Sequence, residues 1–265
     1  MAYKHIQIAF LQVGNTSTVL ALTRENGFSR CTYPTPATSA ADLCRTLLAD
    51  ELLPSVDQLY LGGVVPQVLR ELSACLSLAP SMPQLQLLDP SLASAVLDLR
   101  YDPPASLGFD RVCKLLAASR LLPGQNCVLV DMGTAITVDL LERGSVFLGG
   151  LIMPGEQICL DALGQYTALL PHLAVADAPA MDSLQFGQDT LACMYQGVRQ
   201  MTLGGLDAVL RHGLTRLPGA QVLMTGGGAP GFLDELSHTY RVQHVPDLVL
   251  QGMACLAELS PSVDP

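Results

Sequence analysis

Two stretches of this chain repeat one pattern. Phe10-Leu11-Gln12-Val13-Gly14-Asn15-Thr16-Ser17-Thr18-Val19 can be laid over Leu129-Val130-Asp131-Met132-Gly133-Thr134-Ala135-Ile136-Thr137-Val138. Apolar pairs precede positions 12 and 131, glycine matches glycine, and Thr-Val matches Thr-Val. In each copy an apolar run meets a glycine turn and returns as a second run, which predicts a strand–turn–strand hairpin. The copies stand a little under half of the 265 residues apart. Repetition at that distance is not a solenoid. It implies a duplicated lobe, each half opening on the same hairpin.

The remaining patterning predicts strands alternating with helices. His5 to Leu11 alternates, with Ile6, Ile8 and Phe10 on one side, and Thr18 to Leu22 returns beside it. Ser39 to Leu53 has helical spacing, Gln58 to Val65 reads as a buried strand, and Pro66 suits the first turn of the next helix. Gln84 to Leu88 is a further short strand. Asp110 to Leu121 reads as a helix, Asn126 to Asp131 as a strand ending in an acid, and Thr137 to Leu141 as its partner. A long apolar helix follows over Thr190 to Leu217. A strand over Gln221 to Met224 then leads into Thr225-Gly226-Gly227-Gly228, and a last helix spans Pro246 to Leu259. Such alternation implies α/β layers. The expected division is 1–107 and 108–265, with the last helix packing back on the first lobe.

Composition excludes some functions. With 14 Lys and Arg against 24 Asp and Glu, the net charge is −10, and no basic run provides a nucleic-acid surface. A nucleotide held by backbone N–H groups and a metal ion remains compatible. No apolar stretch approaches the roughly 18–20 residues of a membrane span, and the start of the chain reads as a strand rather than a signal peptide. The eight cysteines lack CxxC or zinc-like spacing, which suggests reduced thiols in a cytoplasmic protein. The five histidines form no constellation.

Three motifs carry chemistry. A strand–glycine turn–strand hairpin brings backbone amides close to an anion, and Asn15, Thr16, Ser17 and Thr134 add side-chain donors. Two such turns facing one another would clamp a triphosphate, and an acid ending the first strand would hold a neutralising cation. Asp131 fits that role; Gln12, its counterpart, carries no charge. Gly108-Phe109-Asp110-Arg111 stands where a helix begins. Asp110 reads equally as a helix cap or as a base that takes a hydroxyl proton. Arg111 reads as a surface ion pair or a carboxylate clamp. Gly226 to Gly231 formally contains GxGxxG. Too little chain follows for a dinucleotide half and Pro230 interrupts the motif, so a glycine turn against an adenosine fits better.

Taken together these motifs resemble the type III pantothenate kinases, within the sugar kinase/Hsp70/actin group. The family's D-x-G-N-T is matched by Gln12 to Thr16 except at its first residue, its G-A-D-R by Gly108 to Arg111, and its D-x-G-T-A-x-T in full by Asp131 to Thr137. Gly149 to Gly155 is similar to GG-x-I-x-PG, Gly187 to Thr190 to G-x-(N/D)-T, and Thr225-Gly226-Gly227 to TGG. The resemblance implies two duplicated actin-like (ribonuclease H-like) α/β lobes with a nucleotide cleft between them. It implies an ATP-dependent phosphorylation of pantothenate to 4′-phosphopantothenate, the first step of coenzyme A biosynthesis. Asp110 would be the general base. Tyr101, Gly108, Phe109, Asp110, Arg111 and Thr190 would bind pantothenate. Gln12, Val13, Gly14, Asn15, Thr16, Ser17, Thr18, Val19, Thr134, Gly226 and Gly227 would bind ATP. Asp131 would bind a monovalent cation, potassium or ammonium, magnesium would arrive with ATP, and the protein would be a homodimer. Three departures qualify this. Phe109 replaces a small residue and either crowds the pocket or packs inward. Gly228 stands where an acid is common. Gln12 removes a charge worth about 4 kcal/mol at 4 Å and an effective dielectric of about 20, before desolvation. A weakened or non-catalytic homologue, acting as a ligand-binding or regulatory accessory protein, is therefore the alternative.

Overall fold

The computed structural model describes residues 7–25, 27–36, 39–50, 53–79, 82–179 and 185–261. The chain forms two compact units, residues 1–121 with 247–265, and residues 122–246. The first unit thus continues past residue 107, and the return of the last helix completes it.

In the first unit, β1 (Ile8–Val13), β2 (Ser17–Arg24) and β3 (Gly27–Pro34) form an antiparallel meander. Helices α1 (Ala41–Leu48) and α2 (Pro66–Leu78) alternate with β4 (Gln58–Gly63) and β5 (Gln84–Leu87), which add in parallel beside β1. The sheet order is β3-β2-β1-β4-β5. A two-residue strand, β6 (Asp98–Leu99), precedes α3 (Phe109–Leu121). In the second unit, β7 (Cys127–Met132), β8 (Ala135–Glu142) and β9 (Val146–Pro154) repeat the meander. Helices α4 (Glu156–Tyr166) and α5 (Thr190–Arg216) follow. Strand β10 (Gln221–Thr225), the short α6 (Leu233–Ser237) and β11 (Val242–His244) then add the parallel pair. Five strands of the second, six-stranded sheet, in the order β11-β10-β7-β8-β9, match the order of the first sheet read in reverse. Shared topology, beyond ten matched residues, establishes the duplication. The copies differ at the turn: Val13 pairs with Thr18, but Met132 pairs with Ile136, so the second turn is one residue tighter.

Core formation follows the apolar pattern. β1 and β7 are central and nearly buried throughout, as expected for strands covered on both faces. Cys44 on α1 and Cys75 on α2 are joined as a disulfide, which corrects the expectation that all eight thiols are reduced; the other six are free. Helix α1 stops at Leu48, short of the expected Leu53, and residues 51–52 lie outside the described set, as do Lys4, His5 and Ile6. Strands β3, β9 and β11 and helix α4 were not legible beforehand. Gly149 and Gly150 interrupt the alternation of β9, and β3 is largely exposed.

The last helix, α7 (Leu248–Leu259), buries Leu248, Leu250, Met253 and Leu256 in the first unit. It packs on α3 with backbone contact: a Cβ at Gly252 would lie 1.9 Å from the carbonyl oxygen of Cys113. Arg30 bonds Asp247 at the start of α7 (2.7 Å), and Arg120 bonds Glu258 near its end (2.6 Å). These exposed pairs contribute at most about 1 kcal/mol each, so packing holds the helix. Phe109 is 7% exposed and its ring lies over Gly62 of β4. Of the two readings of Phe109, its side chain takes the inward one.

Two consequences are measurable by urea unfolding. Gly252→Ala must part α3 from α7 and is expected to cost about 3 kcal/mol; an unchanged midpoint would contradict the contact. Phe109→Ala is expected to cost about 3–5 kcal/mol as a core truncation, and a fully stable variant would show that the ring is not packed.

Candidate active site

In the first unit two sequence motifs hold potential chemistry. The β1–β2 turn is closed by Gly14 N–H donating to the Ser17 carbonyl (2.9 Å), which leaves Asn15 and Thr16 exposed at its tip. Val13 is buried, and the Thr18 hydroxyl lies inside, 2.9 Å from that of Thr35. Gln12 and Val19 face each other across the hairpin and are partly buried, with Gly62 on the other side of Gln12. The turn therefore presents backbone and the side chains of residues 15–17, while Val13 and Thr18 build its base.

The second motif opens α3. Asp110 occupies the first turn, where the positive end of the helix favours an anion. Its side chain is 32% exposed. Oδ1 turns back towards Gly108, 2.8 Å from where a Cβ there would stand. Oδ2 lies 3.4 Å from Nζ of Lys114, one turn further along. Arg111 is buried; it donates to the Tyr101 hydroxyl at 3.5 Å, and its guanidinium carbon sits 5.4 Å from that ring's centroid. Tyr101, Gly108, Asp110 and Arg111 are thus brought together. Lys114 was missed by sequence reasoning, although a lysine four residues after an acid inside an apolar helix is a readable signal.

The second unit places Asp131 at the end of β7, opposite Thr137 on β8 and Thr225 on β10. Thr134 is exposed at the tip of the β7–β8 turn, and its carbonyl accepts from Gly155 N–H (3.1 Å). Gly226 has φ of +91°, and a Cβ on it would fall 2.5 Å from Asp131 Oδ1. Glycine is required there on both counts. Gly228 N–H donates to the Met132 carbonyl (2.9 Å), tying the TGG turn to the β7–β8 turn. Asp131, Thr134 and Gly226 therefore form one constellation. Gly227 opens onto a cavity of about 370 Å³ lined also by Glu156, Tyr195, Arg199, Gly228 and Phe232. Arg199 stacks on Phe232 (4.7 Å) and bonds the Gly231 carbonyl (2.8 Å) and Glu235 (2.5 Å). Burial raises the Glu156 carboxyl above the usual range, with Arg199 partly opposing it. Gly227 and Gly228 stand out in the sequence; Glu156, Tyr195, Arg199 and Phe232 do not, Arg199 being one of three arginines on α5.

Thr190 belongs to the second unit. It is the exposed first residue of α5, after Asp189, whose side chain caps the helix by accepting from Ala192 N–H (2.8 Å). It lines a larger, mostly apolar hollow of about 1030 Å³ between α4 and α5, with Leu163, Tyr166, Met194 and Met201. Among the described residues no three His, Cys, Asp or Glu side chains cluster as a metal site. The carboxylate of Asp131 is an oxygen donor of the kind that suits hard cations.

Known proteins share this organisation. A family model described as type III pantothenate kinase matches residues 8–212. The type III pantothenate kinase of Aromatoleum aromaticum is 37% identical over 60% of this chain and 61% of its own length. That of Legionella pneumophila is 30% identical over 78% of both chains, and that of Halorhodospira halophila 33% identical over 82% of this chain and 89% of its own. Among solved structures, a conserved Baf family protein from Campylobacter jejuni superposes with a TM-score of 0.58 at 18% identity, covering 94% of this chain and 97% of that one. The ROK hexokinase of Thermus thermophilus does so with a TM-score of 0.50 at 13% identity, covering 96% and 100%. The structural likenesses show an actin-like, sugar-kinase fold. The family match spans most of the sequence, including the hairpins and the start of α3: the chain belongs to the type III pantothenate kinase family.

Proposed function

We propose that this chain transfers the γ-phosphoryl group of ATP to the primary hydroxyl of pantothenate, giving 4′-phosphopantothenate. The observation that carries the reading is the first turn of α3, where a part-exposed carboxylate stands beside a buried guanidinium braced by Tyr101. Pantothenate offers a hydroxyl to deprotonate and a carboxylate to clamp. Asp110 acts as the general base. Arg111, with Tyr101, Gly108, the backbone of Phe109, and Thr190, holds the acceptor, and a guanidinium suits its carboxylate.

The Gln12–Val19 hairpin and Thr134 hold the ATP phosphates, and Gly226 and Gly227 hold the adenosine end, with the cavity of Glu156, Arg199 and Phe232 beside them. Magnesium carried by ATP supplies positive charge to the phosphates. Asp131 holds the monovalent cation, potassium or ammonium. In phosphoryl transfer the protein works mainly by positioning and charge stabilisation, which matches two rigid turns and a helix start. A homodimer formed through the α4–α5 face fits the exposure there of Tyr166 and Met201, since exposed apolar patches commonly mark interfaces. ATP and pantothenate as substrates support a cytoplasmic location.

Gln12 favours a second reading, a homologue with weakened catalysis. Its position at the end of β1 matches that of Asp131 at the end of β7, yet it brings no charge to a magnesium-bearing phosphate.

Purified protein given pantothenate, ATP, magnesium and potassium separates the readings. Asp110→Asn is expected to lower kcat by about 10³-fold, within the range for a lost general base, with KM for ATP little changed; a rate equal to wild type would refute the assignment. Gln12→Asp is expected to raise kcat about tenfold, a gain of about 1.4 kcal/mol and well within the charge effect available. No gain would mean that another group serves the metal.

A further inference from the structure

Lys114 has 1% of its side chain exposed, on the same turn-to-turn line of α3 as Asp110. Its neighbours along the helix, Leu115, Leu116, Ala117 and Ala118, are buried and apolar. Removing an ammonium from water is costly, and a Leu or Met of similar volume would fill the site without that cost. Buried ion pairs are weak as stabilisers, so the lysine calls for another explanation.

Geometry supplies one. Nζ lies 3.4 Å from Asp110 Oδ2, in the favourable order with the acid N-terminal to the base. Oδ1 of the same carboxylate turns towards Gly108. The intervening Cys113 thiol is pushed well up, by burial first and by the charge of Asp110 second, so it stays neutral and adds no competing charge. One carboxylate oxygen is thus engaged from inside the protein while the other faces the outer end of the helix.

We propose that Lys114 is the positioning residue of Asp110: its buried ammonium fixes Oδ2 and leaves Oδ1 to receive the proton of the acceptor hydroxyl. This rests on the reading of Asp110 as the base. In the step it serves, the acceptor oxygen forms a bond to the γ-phosphorus, the bond from that phosphorus to the bridging oxygen of ADP breaks, and the hydroxyl proton moves to Oδ1. A carboxylate free to rotate would offer the proton acceptor in only part of its conformations. Held at Oδ2, it is pre-set, the advantage expected of a supported catalytic group.

The test compares wild type, Lys114→Ala, Lys114→Met and Asp110→Asn in one kinase assay, with and without ethylammonium. Both Lys114 variants are expected to lose about 30-fold in kcat, the scale of a lost charge-assisted contact to a catalytic group, while KM for ATP stays within about twofold. Ethylammonium is expected to restore Lys114→Ala at least about fivefold by entering the vacated space, an expectation set by the same contact. It should do nothing for Lys114→Met, where the space is filled, or for Asp110→Asn. Lys114 variants running at the wild-type rate beside a dead Asp110→Asn overturn this inference alone, as does a loss that no amine relieves in Lys114→Ala. A wild type without turnover, or an Asp110→Asn as fast as wild type, overturns the reading of the base as well.

Discussion

Backbone contact between α3 and α7 is the constraint on which the rest of the first unit depends. Only glycine at 252 lets the Cys113 carbonyl approach so closely. α3 ends as the chain leaves for the 125 residues from 122 to 246, and α7 forms on its return. The first unit is therefore completed by a contact between distant parts of the sequence, which carries a loop-closure cost before it is rewarded. What the contact secures is α3, and the first turn of α3 carries Asp110, Arg111 and, one turn on, Lys114. A helix packed on both its sheet and its neighbour holds those groups more firmly than a loop would.

The same economy shapes the turns. Both hairpins leave their amides at the tip of an otherwise buried strand pair, and glycine occupies the places where a Cβ would meet backbone or the Asp131 carboxylate. The second turn is tied down twice, by Gly155 to the Thr134 carbonyl and by Gly228 to the Met132 carbonyl. A rigid cradle of this kind suits phosphoryl transfer, where placement and charge matter more than covalent chemistry by the protein. The unequal copies also make sense physically: the tighter turn keeps the acid, while the longer one has Gln12 and a tip of polar side chains.

Much of this was legible in the sequence. The repeated hairpin was visible because apolar alternation, a glycine and a returning Thr-Val are local features, and the strands and helices that cover both faces announced themselves by continuous apolar runs. Less legible were the elements whose pattern is broken or exposed: β9 behind Gly149 and Gly150, β3 with its polar outer face, and β11, only three residues long. The one-residue difference between the turns could not be read, because pairing register is decided across strands rather than along them. Of the candidate site, the motifs were evident while the surroundings were not. Arg199 over Phe232, Glu156 in its cavity, the Phe109 ring on Gly62 and the Cys44–Cys75 bond all join residues distant in sequence. Lys114 is the exception, since its spacing from Asp110 was open to inspection.

In the proposed reaction the first turn of α3 directs a phosphoryl group to the hydroxyl of a carboxylate-bearing acceptor. The most direct measurement follows one reaction by phosphorus NMR, with the native protein, ATP, magnesium, potassium and pantothenate. One phosphomonoester on the primary hydroxyl of pantothenate is expected for each ADP formed. Hydrolysis of ATP to ADP and inorganic phosphate with pantothenate unchanged, or no consumption of ATP at all, would contradict it.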